Sequence, residues 1–225
     1  IDADNVPAKF AARIMREVAS IGEPALRRVY GDWGADNLRG WRDPIQSLGL
    51  VAHQDTANSK GKNASDIGLV IDAMDILHSG KFDGFVIVTS DSDFTALVNR
   101  LREDGLRVIG IGEEKTLSAL RNVYNRFILV ENIVDEDAQG DTPSTAKPKA
   151  DLNRAYQLIR NAIERCEMDA DDWVSLSPVG KSLMAAHPDF DTRSYGHAKL
   201  SGLIKTIPKL EFSNKDNRAM VRIKP

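Results

Sequence analysis

The sequence predicts an α/β fold: a Rossmann-like parallel sheet with helices on both faces, followed by a small C-terminal winged-helix-like α+β domain. Three observations predict it. In residues 1–134, short apolar runs alternate with segments whose apolar residues recur at helical spacing, which is typical of βαβ units. Residues 85–88 are apolar throughout, as expected for a central parallel strand covered on both faces. From Asp135 onward the composition becomes polar and gains prolines, which indicates a linker.

The elements of the first domain follow from this alternation. Ile1 is expected to be the last apolar residue of a strand that begins upstream. Pro7 suits the first turn of the next helix, because its missing N–H costs nothing there. The other predicted strands are residues 25–30, 50–53, 85–88, 107–111 and 127–130, and further helices are predicted around residues 41–48, 66–78 and 117–123. The helix 66–78 carries apolar residues on more than one side, so we expect it to be well buried.

The second domain is expected to fold on its own. Its predicted elements are a helix over residues 152–163, a short strand near 174–176, helices near 177–184 and 200–204, and a hairpin of 210–212 with 220–223. We therefore place the first domain at residues 1–134, the linker at 135–150 and the second domain at 151–225. A domain of the second one's size is large enough to be stable alone.

Composition and charge narrow the class of protein. The 225 residues are 42% hydrophobic and 28% charged, as in an ordinary soluble globular protein. No apolar stretch is long enough to span a membrane, and the first residues do not resemble a signal peptide. The lone Cys166 cannot form an internal disulfide, which suits a cytoplasmic location. The net charge of −3 gives no global basic field, and the four histidines lack the spacing of a zinc site.

Aspartate-bearing turns follow two of the predicted strands. Asp2 and Asp4 follow the first strand, Asp91 and Asp93 follow the strand 85–88, and Asp66 opens the apolar helix. Because the carboxyl ends of parallel strands meet at one edge of a sheet, we expect these carboxylates to gather there. Such a cluster suits Mg²⁺ or Mn²⁺, and a metal held in this way usually serves phosphate chemistry.

Each aspartate also has an ordinary structural explanation. Any of them can cap the helix that follows its turn, and Asp66 can be a first-turn acid favoured by the helix dipole. Asp66 tops an apolar stripe instead of a solvated face, which favours a role in the site. Asp72 lies six positions later, about 240° around the helix, so it points in another direction. Asp75 is expected to face solvent.

Four other residues are candidates for contact with a substrate. Asn5 can cap the following helix, or it can hydrogen-bond a phosphate or a metal-bound water. Trp33, after a Gly-Asp turn, can be core packing or a stacking face for a base. Lys60 and Lys62, in a glycine-containing loop, suit a phosphate backbone but can equally be exposed lysines.

These motifs resemble the NYN family, a branch of the PIN-like nucleases. The matching segments are the Asp-x-x-Asn turn at residues 2–5, the approach from Lys60 or Lys62 to Asp66, and Ser-Asp-Ser-Asp-Phe at residues 90–94. Tyr-Gly-Asp-Trp at residues 30–33 and Ser-Ala-Leu at residues 118–120 are similar to the bacterial LabA-like subgroup. The resemblance covers residues 1–134. Asp4 departs from it, because the family often has glycine at that position.

The resemblance implies a PIN-like fold and a metal-dependent nuclease, specifically an endoribonuclease. The residues that it assigns to one or two Mg²⁺ or Mn²⁺ ions, held partly through waters, are Asp2, Asp66, Asp91 and Asp93. The residues that it assigns to orienting the carboxylates or holding the RNA are Asn5, Ser90, Lys60 and Lys62. The expected partner is therefore RNA, single-stranded or structured, and no membrane.

The C-terminal domain resembles a LOTUS (OST-HTH) domain through residues 195–204 and Phe212 in the hairpin. Such domains are associated with RNA binding or with protein contacts. The resemblance implies an RNA-binding module, or a surface for a protein partner. The residues that would carry it are Tyr195, Gly196, His197 and Lys199.

Two rival functions remain open at this point. A HAD-type phosphatase also begins with Asp-x-Asp after a strand and uses the first aspartate, here Asp2, as its nucleophile. In that family a threonine commonly follows, whereas Asn5 follows here. The second rival is a non-catalytic RNA-binding adaptor whose acidic site has no metal-dependent turnover.

Overall fold

A computed structural model describes residues 1–54, 64–133, 151–215 and 218–224, with the side chain of Lys215 excepted. The chain divides into two compact units, Ile1–Ala138 and Gln139–Pro225. The predicted linker at residues 135–150 lies outside the described residues, and the predicted domain bounds stay a prediction. No helix in the described part of the chain is long and apolar enough to cross a membrane.

The first unit alternates strands and helices, as predicted. Its strands are β1 (Arg28–Gly31), β2 (Val51–Gln54), β3 (Gly84–Val88), β4 (Arg107–Gly112) and β5 (Arg126–Leu129). Its helices are α1 (Ala11–Ile21), α2 (Arg42–Ser47), α3 (Ala64–His78), α4 (Thr95–Glu103) and α5 (Ser118–Val123). The predicted strands lie within a few residues of the observed ones, and the mixed α/β architecture with parallel strands is confirmed.

All strand pairs in the described part of the first unit are parallel. β1 pairs with β2, and β4 lies between β3 and β5. The segment Ile1–Ala3 lies between β1 and β3: the Ala3 amide donates to the Tyr30 carbonyl at 2.9 Å, and the Asp2 amide donates to the Val88 carbonyl at 3.0 Å. With this segment counted as the first strand, the order across the sheet is 3-2-1-4-5-6, the doubly wound order in which ligands bind where the order reverses.

Consecutive strand residues enter different core clusters, because successive side chains of a strand point to opposite faces of the sheet. Val29 and Val88 belong to a cluster that includes Ile14 and Val18 of α1. Their neighbours Tyr30 and Ile87 belong to a second cluster, which includes residues of α3, α4 and α5. Helices therefore cover both faces of the sheet.

Helix α3 is less buried than its composition predicts. Leu69 and Ala73 are buried, but Ile67 and Ile71 are 59% and 58% exposed. The prediction that this helix is well buried is therefore wrong. The physical reason is that the sheet covers only one side of it, while the two isoleucines lie on another side. Apolar residues all around a helix did not mean packing all around it.

The second unit is a small α+β fold built around one core. Its helices are α6 (Leu152–Ile163), α7 (Leu176–Ala186) and α8 (Leu200–Thr206), and its strands are β6 (Val174–Ser175), β7 (Leu210–Lys215) and β8 (Arg218–Ile223). The strands form an antiparallel sheet in the order β6-β8-β7. The predicted hairpin is thus present, with its turn residues 216 and 217 outside the described part. Cys166 packs against this core, and its thiol lies 3.2 Å from the Ala162 carbonyl.

Candidate functional site

Asp2 is the most fixed carboxylate at the edge where the strand order reverses. It is only 1% exposed. One side-chain oxygen accepts from the Asn5 backbone amide at 3.2 Å, and the other accepts from the Asn5 side-chain amide at 2.9 Å and from the Thr89 hydroxyl at 2.7 Å. Burial raises the pKa of Asp2, and these three donors work against that rise.

The loop after β3 brings two further carboxylates to the same edge. The Thr89 hydroxyl, which donates to Asp2, also accepts from the Asp91 amide at 3.1 Å. Asp91 caps the 3-10 turn Ser92–Phe94, since its side chain accepts from the Asp93 amide at 2.9 Å. Capping and a place in the site are therefore compatible for Asp91. The side chain of Asp93 itself is exposed.

The loop after β3 is also tied to the loop after β4. The Ser90 hydroxyl accepts from the Glu113 amide at 2.9 Å. At Gly112, the last residue of β4, a Cβ would stand 2.5 Å from the Thr89 carbonyl oxygen, so only glycine allows this approach. Ser90 thus fixes the loop that carries Asp91 and Asp93, and its described contact is to backbone instead of to a carboxylate.

Asp66 enters the site from the first turn of α3. Burial, together with the negative charges of the neighbouring aspartates, raises the pKa of Asp66 to about 6; those aspartates are Asp2, Asp91, Asp4 and Asp93. Asp66 and Asp93 also line one shallow groove, a cavity of about 280 Å³ that continues along Ile67, Val70 and Ile71. Asp2, Asp91 and Asp93 thus lie close enough to Asp66 for their charges to affect its ionisation.

Asp4 lies at this edge as well, although the family pattern leaves its role open. Its side chain accepts from the Ser65 hydroxyl at 2.7 Å, and Ser65 precedes Asp66 in the first turn of α3. The contact ties the turn after the first strand to the start of α3.

The donor set suits a hard divalent cation, but it is not a closed cage. Within the described residues, no group of three aspartate, glutamate, histidine or cysteine side chains is close enough to hold a metal ion. Mg²⁺ keeps several waters and is typically bound through one or two carboxylates together with substrate phosphates. The partly open side chains of Asp66, Asp91 and Asp93 fit that mode, whereas both oxygens of Asp2 already accept hydrogen bonds.

The remaining predicted substrate contacts divide into two groups. Asn5 is exposed, but its amide groups hold Asp2. The Trp33 ring packs partly against the core of the first unit, and its indole N–H donates to the His53 carbonyl at 2.8 Å. Lys60 and Lys62 lie outside the described residues.

In the second unit, the predicted RNA contacts lie around the turn before α8. Tyr195 is 6% exposed and packs beside Phe190 in the core, so its ring is not available to stack on a base. Gly196 has φ +79°, a left-handed conformation that favours glycine. His197 lies 3.3 Å from the Thr206 hydroxyl through Nε2, and Lys199 is exposed at the start of α8.

Two site residues had no role in the sequence-based prediction. Thr89 is fully buried and joins Asp2 to Asp91, and Ser65 joins Asp4 to α3. A hydroxyl next to each aspartate motif is a weak signal in sequence, because only the fold shows which carboxylate it reaches.

A larger cavity of about 520 Å³ lies at the opposite end of the strands, and none of the four site aspartates lines it.

Comparison with known proteins agrees with this geometry. A family model described as NYN domain matches residues 1–131, and one described as OST-HTH/LOTUS domain matches residues 150–221. An uncharacterized protein of Methanocaldococcus jannaschii is 28% identical over 138 residues, 60% of this chain and 52% of that protein. The chain thus spans about half the length of the curated relative that it matches. A protein of unknown function from Vibrio parahaemolyticus, whose structure is solved, is similar with a TM-score of 0.46 and 19% sequence identity. The match covers 56% of this chain and 79% of the Vibrio chain, and the similarity is too low to carry an argument.

Proposed function

We propose that this chain, which belongs to the NYN domain family, is a metal-dependent endoribonuclease with a C-terminal RNA-binding module. The family is a branch of the PIN-like nucleases, and it supports nuclease activity in general. The OST-HTH/LOTUS domain that follows supports RNA as the substrate. The metal dependence and internal cleavage of RNA are the parts that we add.

The observation that carries the proposal is the convergence of carboxylates at the switch in strand order. Burial and the charges of four other aspartates raise the pKa of Asp66 to about 6. Protein folding alone does not favour such a concentration of like charge, because each carboxylate raises the cost of ionising the next. A bound cation would remove that cost, and sites of this kind are where function is found.

Bound Mg²⁺ or Mn²⁺ would activate a water and offset negative charge on a scissile phosphate. Asp66, Asp91 and Asp93 would hold it, directly or through waters. Asn5 and Thr89 hold the buried Asp2 carboxylate in place, so Asp2 would add a fixed negative charge next to these three carboxylates. The exposed side chain of Asp93 and the groove that it shares with Asp66 leave the site open to a strand of RNA.

The second unit would hold RNA through side chains around α8. Lys199 is exposed and can reach a phosphate, and His197 lies two residues before it along the chain. Two more lysines lie over aromatic rings of the same unit, Lys205 over Phe212 and Lys209 over Tyr156. Single-stranded or structured RNA is the partner that we propose, with a protein partner as the alternative for this unit.

We propose that the protein is located in the cytoplasm, because its lone Cys166 cannot form an internal disulfide.

A HAD-type phosphatase fits the site poorly. Its nucleophile must reach the substrate, but Asp2 is 1% exposed and both of its oxygens accept hydrogen bonds. No phosphorylated form of the protein is expected on incubation with phosphate monoesters. Covalent phosphorylation of Asp2 would support the phosphatase instead.

The test is cleavage of end-labelled single-stranded and structured RNA by the purified chain, with Mn²⁺ and with EDTA. We expect internal cleavage with Mn²⁺ and none with EDTA. Asp93→Asn should remove it without loss of folding, since the Asp93 side chain is exposed. Asp75→Asn, an exposed site on α3, is the matched control and should cleave like the wild type. RNA binding without metal-dependent cleavage would instead identify an RNA-binding adaptor.

A further inference from the structure

A second polar cluster lies under α3, away from the predicted site residues. The Asp72 carboxylate accepts from the Arg28 guanidinium and from the Tyr30 hydroxyl. The Tyr30 ring packs against the ring of His53 on β2, with centroids 5.1 Å apart. The sequence predicts that Asp72 points in another direction from Asp66, and in the structure Asp72 points to β1.

Tyr30 also holds the first strand through its backbone. Its amide donates to the Ile1 carbonyl at 2.9 Å, and its carbonyl accepts from the Ala3 amide at 2.9 Å. These two bonds flank Asp2. One residue therefore contacts both elements that deliver carboxylates: its backbone contacts the segment of Asp2, and its hydroxyl contacts the helix of Asp66.

We propose that Tyr30, acting through Asp72, is a positioning residue that sets where α3 places Asp66 relative to Asp2. The inference rests on the proposed function. Asp72 and Asp66 are six residues apart on one helix, about 9 Å along its axis. A helix is stiff over that length, so the position at which Asp72 is held on β1 fixes the position of Asp66 at the edge of the sheet.

The contact is suited to this role because apolar packing alone constrains the sliding of α3 weakly. Leu69 and Ala73 are the buried residues of this helix, further apolar residues pack half-buried against the same core, and apolar contacts have no preferred direction. Hydrogen bonds to a charged group are directional and stronger than neutral ones. Burial by itself would raise the pKa of Asp72, but the hydrogen bonds from Arg28 and Tyr30 hold that pKa below its usual range, so the carboxylate stays charged.

The experiment compares Tyr30→Phe, Asp72→Asn and the double variant with the wild type. Mn²⁺ affinity is measured by titration without RNA, and kcat and KM are measured with RNA. Tyr30→Phe keeps the ring against His53 and removes only the hydroxyl. The stability control is Ile14→Val, buried in the cluster on the other face of the sheet. Hydrogen exchange of the α3 amides reports whether the helix is held.

We expect Mn²⁺ affinity to fall roughly tenfold or more in both single variants, as for the loss of groups that orient metal ligands. We expect kcat to fall more than KM rises, and faster exchange in α3. The double variant should lose no more than Asp72→Asn alone, since that change already breaks the Tyr30–Asp72 contact together with the Arg28 contact. Ile14→Val should lose stability with unchanged Mn²⁺ affinity. If Tyr30→Phe binds Mn²⁺ and turns over as the wild type does, the positioning role is wrong although the nuclease stands. If the wild type binds no Mn²⁺ and cleaves no RNA, the proposed function fails and this inference fails with it.

Discussion

Asp2 and Asp66 face the same edge of the sheet, but their surroundings differ. Asp2 is buried and accepts three hydrogen bonds, from Asn5 and Thr89. Asp66 is half-buried at the start of a helix, and other carboxylates surround it, so its pKa is raised to about 6. Hydrogen-bond donors of the protein itself stabilise the charge of Asp2. The charge of Asp66 is opposed by neighbouring carboxylates, so we infer that a bound cation stabilises it.

This difference divides the site into a closed side, formed by Asp2, and an open side, formed by Asp66, Asp91 and Asp93. The side of Asp2 is part of the folded core, so changes there should affect stability first. The side of Asp66, Asp91 and Asp93 is open, so changes there should affect metal binding and cleavage while the fold remains. Four variants or conditions test that division.

The largest effect is expected at Asp91, where capping and metal binding can be separated. Asparagine caps a helix about as well as aspartate, whereas alanine does not. Both Asp91→Asn and Asp91→Ala should lose RNA cleavage by roughly 100-fold or more, since each removes a carboxylate from the metal site. Only the alanine variant should also lose stability, by about 0.5–2 kcal/mol in urea unfolding. An Asp91→Asn variant with wild-type cleavage would show that Asp91 is a cap and nothing more.

On the closed side, Thr89→Val should act on stability. Valine has the shape of threonine but lacks the hydroxyl that donates to Asp2 and accepts from the Asp91 amide. The free energy of unfolding should fall by about 1–3 kcal/mol, the cost of leaving buried polar groups without a partner. Thr206→Val, at an exposed threonine of the second unit, should change it by less than about 0.5 kcal/mol. Equal effects at the two threonines would contradict the fixed state of Asp2.

The pH dependence of stability tests the open side. Because the pKa of Asp66 is raised in the folded state, protonated Asp66 favours folding; this contribution is complete below about pH 4 and is lost as the pH rises through about 6. In EDTA, Asp66→Asn should therefore raise the Tm at pH 7.5 and leave it nearly unchanged at pH 4. With Mn²⁺ present at pH 7.5, the wild type should be stabilised and the variant should not. A variant destabilised by the same amount at both pH values would show that Asp66 carries no excess charge.

The smallest effect is expected for Ser65→Ala. The Ser65 hydroxyl donates to Asp4 at 2.7 Å, but the contact is exposed to solvent. Its loss should change the free energy of unfolding by less than about 0.5 kcal/mol and cleavage by less than about threefold, since Asp4 is not assigned to the metal. A loss of cleavage comparable to that of Asp91→Asn would move Asp4 into the site itself.

The fold was predictable because its signals are local. Alternation of apolar runs with helical spacing, and the apolar run before Thr89, were enough to place the parallel strands within a few residues. The gathering of Asp2, Asp66, Asp91 and Asp93 was predictable as well, since parallel strands end at one edge of a sheet. Neither inference needed knowledge of which side chains touch.

The rest depended on contacts between distant parts of the chain. Nothing in the sequence shows that Thr89 reaches Asp2 across 87 positions, or that Asp72 of α3 pairs with Arg28 and Tyr30 of β1. The burial of Tyr195 was hidden in the same way, because a tyrosine in a basic turn can face either the core or the solvent. The apolar composition of α3 predicts a buried helix, but Ile67 and Ile71 are exposed. The number of apolar residues in a helix does not show how many of its sides other elements cover.

The most direct test of a metal centre is anomalous diffraction from crystals of this chain soaked in Mn²⁺. We predict a peak at the edge of the sheet where the strand order reverses, within bonding distance of at least one carboxylate among Asp66, Asp91 and Asp93. Asp93→Asn crystals grown and soaked in the same way should show a weaker peak or none. A Mn²⁺ peak elsewhere in a chain that cleaves RNA, or no bound Mn²⁺ at all, would contradict the account.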